Sequence, residues 1–113
     1  MQVEMINGGA AAILRPTGSL NAAVIDQLRE DWFKWLQGAE GVSNVIMDLG
    51  GVNFIDSSGM GLLIALLKRI APRGGDVKIV GLRKNVRMIF EITRTYKIFE
   101  IFDSEEEAVR AIS

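Results

Sequence analysis

The sequence predicts an α/β fold: a single domain with a mixed, mostly parallel sheet, an N-terminal hairpin and about four helices. Two observations carry this expectation. After an opening hairpin, short apolar runs alternate with longer amphipathic stretches, the order that builds a parallel sheet with right-handed crossovers. The 113 residues, 49% of them apolar, suffice to bury one core without staples and leave no room for a second domain.

Gln2 to Ile6 and Ala11 to Leu14, separated by Asn7-Gly8-Gly9, read as two short strands joined by a turn. After Thr17-Gly18, Asn21 is placed to cap a helix whose apolar positions Val24, Leu28, Trp32 and Trp35 recur at spacings of four, four and three. Asp26, Arg29, Glu30 and Lys34 face away from that stripe, and Gly38 and Gly41 close the helix. Asn44 to Leu49 is a short apolar run fit for a buried strand. A second long helix is expected from about Ser58 to Ile70, ended by Pro72 and Gly74-Gly75. Val77 to Val80 is the next strand, and Asn85 is a candidate cap for a helix carrying Val86, Ile89, Phe90 and Thr93 on one side. Ile98 to Phe102 is the last strand. Ser104 then caps a terminal helix whose Glu105, Glu106 and Glu107 lie where the helix dipole favours negative charge.

Composition removes several function classes. There is no cysteine and no histidine, so disulfides, thiolate chemistry and the common zinc ligands are missing together. The lack of cysteine suits a reducing compartment, and Glu4 stands where an export signal needs positive charge, so the chain is read as cytoplasmic. The longest apolar stretch, Met60 to Leu67, is far short of the roughly 20 residues that span a bilayer. Formal net charge is -1 but unevenly placed: Lys68 to Lys97 holds nine basic residues against two acids. Such a stretch either steers acidic partners or is a set of solvated helix faces. With little aromatic interleaving and no recognisable module, it is not read as nucleic-acid binding.

The informative segment is Gly50-Gly-Val-Asn-Phe-Ile-Asp-Ser-Ser-Gly-Met-Gly61. A serine at such a helix start accepts hydrogen bonds from the first free backbone N–H groups, which would also stabilise a phosphate. Two readings stay open: Ser57 and Ser58 are plain caps with Asp56 a turn residue, or one of them carries a signal. Gly59 and Gly61 each cost about 1 kcal/mol of helix stability relative to alanine. Close approach of a partner or tight packing on the protein's own sheet would offset that cost. Leu62, Leu63, Ile64, Leu66 and Leu67 make the helix apolar nearly all round, so it is either deeply buried or partly a docking surface.

Asp56-Ser57-Ser58-Gly59-Met60-Gly61 resembles the Asp-Ser-Ser/Thr-Gly-Leu-Gly motif of the STAS domain family, named for sulfate transporters and anti-sigma factor antagonists. The likeness runs along almost the whole chain, so residues 1–113 are expected to form one STAS domain. Thr17-Gly18-Ser19-Leu20-Asn21 lies where the family has a Thr-Gly-Glu-Leu-Asp type of segment. Val45 to Leu49 resembles the strand before the motif, and Val86 to Phe102 the closing helix and strand. The resemblance implies a partner switch. The unphosphorylated antagonist binds an anti-sigma factor that is also a serine kinase and frees a sigma factor. Phosphorylation reverses this, and a PP2C-type phosphatase resets it. Carried over, the phosphoacceptor is Ser57, with Ser58 second. Asp56, Ser58, Gly59, Met60, Gly61, Ser19 and Asn21 are the expected partner-binding residues, and no cofactor is implied. Met60 replaces the usual leucine at similar volume. Ser19 and Asn21 replace residues that are commonly acidic, which bears on the partner's identity and not on the fold.

An intrinsic enzyme is not expected. Ser57 and Ser58 have no histidine to activate them. Neither serine sits in Gly-x-Ser-x-Gly, and no Gly-x-x-x-x-Gly-Lys loop is present. The competing reading within the family is a STAS regulatory subunit of a membrane lipid or anion transport complex, which would keep the serines as caps.

Overall fold

The computed structural model describes residues 1–112. A five-stranded sheet contains β1 (Gln2–Ile6), β2 (Ala11–Arg15), β4 (Asn44–Asp48), β6 (Val77–Val80) and β7 (Ile101–Phe102), in that spatial order. β1 is antiparallel to β2, and every other pairing is parallel. The expected hairpin and mixed, mostly parallel sheet are therefore present. A second, two-stranded parallel sheet joins β3 (Gly18–Leu20) to β5 (Val52–Ile55), and neither strand was expected from the sequence. They continue the chain from the carboxyl ends of β2 and β4, where open α/β sheets commonly build their sites.

Helices α1 (Ile25–Gly38), α2 (Ser57–Ile70) and α3 (Lys84–Ile92) cover one face, and α4 (Glu105–Ile112) covers the other. Alternation along the strands assigns the two faces. Ala12, Leu14, Val45, Met47, Val77 and Ile79 join the main core with Trp32, Leu63, Leu66, Phe90 and Phe99. Ile13, Ile46 and Val80 pack with Ala108 of α4. Strands covered on both faces read as the continuous apolar runs that mark them in the sequence. Each fully buried aliphatic side chain in this core is worth about 1.5–3 kcal/mol.

Several local expectations need correction. Asn21 does not cap α1: its Oδ1 accepts from the Ala23 N–H two residues on (3.0 Å), an Asx turn that competes with helix, and α1 begins four residues later at Ile25 without a side-chain cap. Val24 is thereby left exposed and outside the helix, and Ile25, Trp32 and Leu36 are the buried positions of α1. Asn85 does not cap α3 either; it lies inside the helix and donates from Nδ2 to the Asn53 carbonyl (2.7 Å). The last strand is two residues long because Ile98 and Phe99 both donate N–H groups back to the Thr95 carbonyl, which closes the 3₁₀ turn Thr95–Lys97. Ser104 does cap α4, its Oγ accepting from the Glu107 N–H (3.2 Å).

Candidate functional site

The β5–α2 junction is built by Asp56. Its backbone is extended (φ -109°, ψ -173°), and its Oδ1 accepts from the Gly59 N–H at 3.0 Å. This is the N-cap of α2; the serines are not. The second carboxylate oxygen accepts from the Ala22 N–H, also at 3.0 Å, and the Asp56 N–H donates to the Leu20 carbonyl (3.2 Å). One side chain thus satisfies an orphan donor of α2 and pins the loop after β3. The Gly59 N–H above all holds the Asp56 carboxyl below the usual carboxylate range, the N–H groups of Ala22 and Ser58 add to this, and partial desolvation opposes it. Asp56 is therefore ionised throughout the physiological range.

The first glycine of the motif has an internal reason. A Cβ on Gly59 would run into the Leu20 carbonyl oxygen and stand 2.8 Å from Ile55 Cγ1 and 2.9 Å from Leu20 Cβ. Gly59 is what lets α2 close on β3 and β5. Gly61 differs: it is exposed, and a Cβ there would meet nothing within 4 Å. Met60 is buried beside Gly59 in the main core. It is thus a packing residue, consistent with a site that takes leucine or methionine at similar volume.

With the cap supplied by Asp56, the serine hydroxyls are released from it. Ser57 is exposed and Ser58 half-buried, and neither hydroxyl has a hydrogen-bond partner among the described residues. Ser57 occupies the first helical position, beside the positive end of the helix dipole.

The earlier loop is brought to the same place. β3 pairs with β5 so that Ser19 lies opposite Phe54 and Leu20 opposite Ile55. Ser19 Oγ donates to Asn53 Oδ1 (3.0 Å), and Asn21 turns the chain into the amide that Asp56 holds. All eight residues expected at the site, Ser19, Asn21, Asp56, Ser57, Ser58, Gly59, Met60 and Gly61, fall on this junction, although Gly59 and Met60 are buried within it. Reading the sequence missed Asn53, which ties Ser19 on β3 to Asn85 on α3, and Phe54, which is 48% exposed. Val52 and Ile55 face inward while Asn53 and Phe54 between them face out, so no period of two announces the strand.

Comparison with known proteins bears on the family and the fold. The STAS domain model matches residues 2–108, and the chain belongs to the STAS domain family. It is similar to the anti-sigma F factor antagonist of Paenibacillus polymyxa, 26% identical over 96% of this chain and 92% of that protein. The anti-sigma-B factor antagonist of Staphylococcus epidermidis is 26% identical over 94% of this chain and 96% of that one. Among solved structures, the fold resembles the Bacillus anti-sigma factor antagonist SpoIIAA. Its unphosphorylated form has a TM-score of 0.70 at 25% identity, covering 98% of this chain and 96% of that one. Its phosphorylated form has a TM-score of 0.71 at 24% identity, covering 99% and 98%. No helix among the described residues is long and apolar enough to cross a membrane.

Proposed function

We propose that this protein is a cytoplasmic anti-sigma factor antagonist, a binding switch and not a catalyst. Its unphosphorylated form binds an anti-sigma factor that is also a serine kinase and so frees a sigma factor. Phosphorylation of Ser57 reverses this, and a PP2C-type phosphatase restores the starting state. The observation that carries the reading is the Ser57 hydroxyl, exposed and unbonded at the mouth of α2 while its neighbour Asp56 does the capping. The names of the full-length relatives support the partner class.

The physical logic of the switch follows from that division of labour. A phosphate on Ser57 adds about -1.5 to -2 charges at neutral pH. It displaces no hydrogen bond of its own hydroxyl, and the Gly59 N–H stays with Asp56. The helix dipole favours the new charge and the ionised Asp56 beside it opposes it, effects that offset in part at this exposed helix end, and the larger cost falls on whatever protein surface has closed over the serine. There the dianion is desolvated and meets any acidic group at short range. Gly61, one turn further along α2 with open space around it, lets a partner backbone approach the same face. Ser19 and Asn21 supply a neutral flank where the family commonly has acids, which directs the choice of partner.

The test is incubation with ATP and the anti-sigma kinase that copurifies from the native cell. Intact-mass analysis is expected to show one added phosphate on the wild type and none on Ser57→Ala. Equal labelling of the two proteins would overturn the assignment.

A further inference from the structure

A second surface lies at the β1 edge of the main sheet. β1 ends the order β1-β2-β4-β6-β7 and pairs only with β2. The direction of its main-chain groups follows from the neighbouring pairings. The Asn44 N–H donates to the Ala10 carbonyl (3.3 Å), and Ala11 stands opposite Asn44 in the parallel ladder. Ala12 and Leu14 therefore turn their N–H and C=O groups toward β4, while Ala11, Ile13 and Arg15 turn theirs toward β1. The antiparallel register sets Ile6, Glu4 and Gln2 opposite those three. Gln2, Glu4 and Ile6 are thus taken up by β2, and the N–H and C=O groups of Val3 and Met5 face outward.

This edge lacks the devices that keep strand edges from pairing. Gln2–Ile6 holds no proline and no lysine, and its register on β2 has no bulge. Its one charge, Glu4, lies on the face covered by α4 and is tied to Arg15 (2.9 Å). On the opposite face Val3 packs at the rim of the main core, and Met5 beyond it is 48% exposed. Met1, 50% exposed, precedes the strand. Added to it, Met1 would fall on the face of Val3 and Met5 by the alternation of side chains.

The sequence of the edge selects the occupant. Met1-Gln-Val-Glu-Met5 reads alike in both directions about Val3, apart from the exchange of glutamine for its near-isostere glutamate. A second copy turned about a two-fold axis through Val3, normal to the sheet, lies antiparallel to the first, and residues equidistant from Val3 face each other. Val3 then meets Val3, Met5 meets Met1 and Glu4 meets Gln2. The outward groups of Val3 and Met5 are the ones such a ladder bonds. The Gln2 amide donates to the carboxylate of Glu4 of the second copy, which keeps acceptor capacity beyond its bond to Arg15, and the symmetry makes this contact twice. Turning about Glu4 instead would set two carboxylates directly opposite, a destabilising pair. Turning about Met5 would require Asn7, which has left the strand with φ 53°.

We infer that β1 is a self-pairing edge: two copies of the chain join in antiparallel register about Val3, so that two five-stranded sheets continue as one. The inference is independent of the role of Ser57. In sedimentation equilibrium of the full chain the mass is expected to rise from monomer to dimer with concentration. Met5→Pro removes an outward N–H that the fold does not use, at an edge position where proline is tolerated, and is expected to weaken the association at least about tenfold. The chain has no cysteine, so single-cysteine variants report contacts between copies. Val3→Cys sets the two thiols in a bonded antiparallel pair, with Cα atoms about 5.5 Å apart, within the roughly 4.4–6.8 Å that a disulfide spans. In Met5→Cys the two positions are offset along the ladder by roughly 14 Å. Mild oxidation is therefore expected to link Val3→Cys at least about tenfold faster than the more exposed Met5→Cys, a comparison that stands whether or not Met5→Pro folds. A monomer at every concentration up to about 1 mM would overturn the inference and leave the edge to a strand of another protein. Wild-type association by a folded Met5→Pro, or equal rates of linkage for the two cysteine variants, would overturn it as well.

Discussion

The two glycines of the motif should behave oppositely when each is replaced by alanine. At Gly59 the new methyl would overlap the Leu20 carbonyl oxygen and crowd Ile55 Cγ1 at 2.8 Å. Relief requires α2 to back away from β3, because the obstacle includes main chain and not only the end of a flexible side chain. Overpacking of a closed contact costs about 1–3 kcal/mol, and this site belongs at the upper end of that range. The gain in helix propensity returns about 1 kcal/mol, leaving a net loss of about 1–2 kcal/mol. At Gly61 the methyl meets nothing within 4 Å, so only the propensity gain of about 1 kcal/mol remains.

For a chain of 113 residues, an unfolding entropy of about 2.1 cal/mol/K per residue makes 1 kcal/mol equivalent to about 4 °C in Tm. Gly59→Ala is therefore expected to melt about 4–8 °C below wild type and Gly61→Ala about 4 °C above it. The assay is thermal unfolding followed by circular dichroism, repeated as urea midpoints at constant slope so that a change in the denatured state is not mistaken for a change in packing. Shifts of the same sign for both variants, or no loss for Gly59→Ala, would refute the claim that α2 is seated by the absence of a side chain at 59.

Three further expectations follow from the same geometry. Ser57→Asp should weaken capture of the anti-sigma kinase while moving Tm by less than about 2 °C, and a large loss of stability would return Ser57 to a structural role. Gly61→Trp, read by pull-down against the same kinase and by melting, should abolish association with little change in Tm, because position 61 is exposed on the proposed contact face and a Cβ there meets nothing within 4 Å. The third is a pH effect around α4. Burial, and then a hydrogen bond with Glu105, push the Asp48 carboxyl up, while Glu105 is held down at about 2, first by the Arg15 guanidinium at 2.7 Å and then by Asp48. A raised carboxyl binds its proton more tightly in the folded chain, so Asp48 favours folding at low pH and opposes it above its folded pKa. Glu105 has the opposite sign, its contribution being full above about 4.3 and lost as pH falls toward about 2. Asp48→Asn keeps an acceptor for the Gly50 N–H (2.8 Å) and removes the charge. Its Tm should therefore exceed wild type at pH 7.5, with the gain shrinking toward pH 4, and a lower Tm at pH 7.5 would contradict the sign.

What the sequence discloses and what it withholds divide along physical lines. β2, β4 and, apart from the ion-paired Lys78, β6 are legible because strands buried on both faces are dominated by apolar residues, and α1, α2 and α3 because their buried positions recur with helical spacing. β3 and β5 are not, since three- and four-residue strands are too short to establish a period and theirs is interrupted by Asn53 and Phe54 facing out together. The β5–α2 junction that holds the candidate site was legible from Asp56-Ser57-Ser58-Gly59, but the division of hydrogen bonds within it was not. Serine and aspartate are both good caps, and only coordinates distinguish which one holds the Gly59 N–H. Asn21 misled for a related reason. An asparagine before an amphipathic stretch is as ready to make an Asx turn as a cap, and here the turn wins because it delivers the Ala22 N–H to Asp56.

A hydroxyl that caps its own helix makes a poor switch, since any modification of it perturbs the helix that presents it. Placing the cap one residue earlier removes that coupling. Asp56 already carries the negative charge that the helix terminus favours, and it binds both α2 and the loop after β3, so the geometry of the surface is set without either serine hydroxyl. On the proposed reading, a phosphate on Ser57 would change the charge of that surface by about -1.5 to -2 units at a residue that is not needed to hold its shape. The same reasoning explains why the two glycines do different work within a few residues of each other: one closes the scaffold from inside, and the other keeps the outside clear.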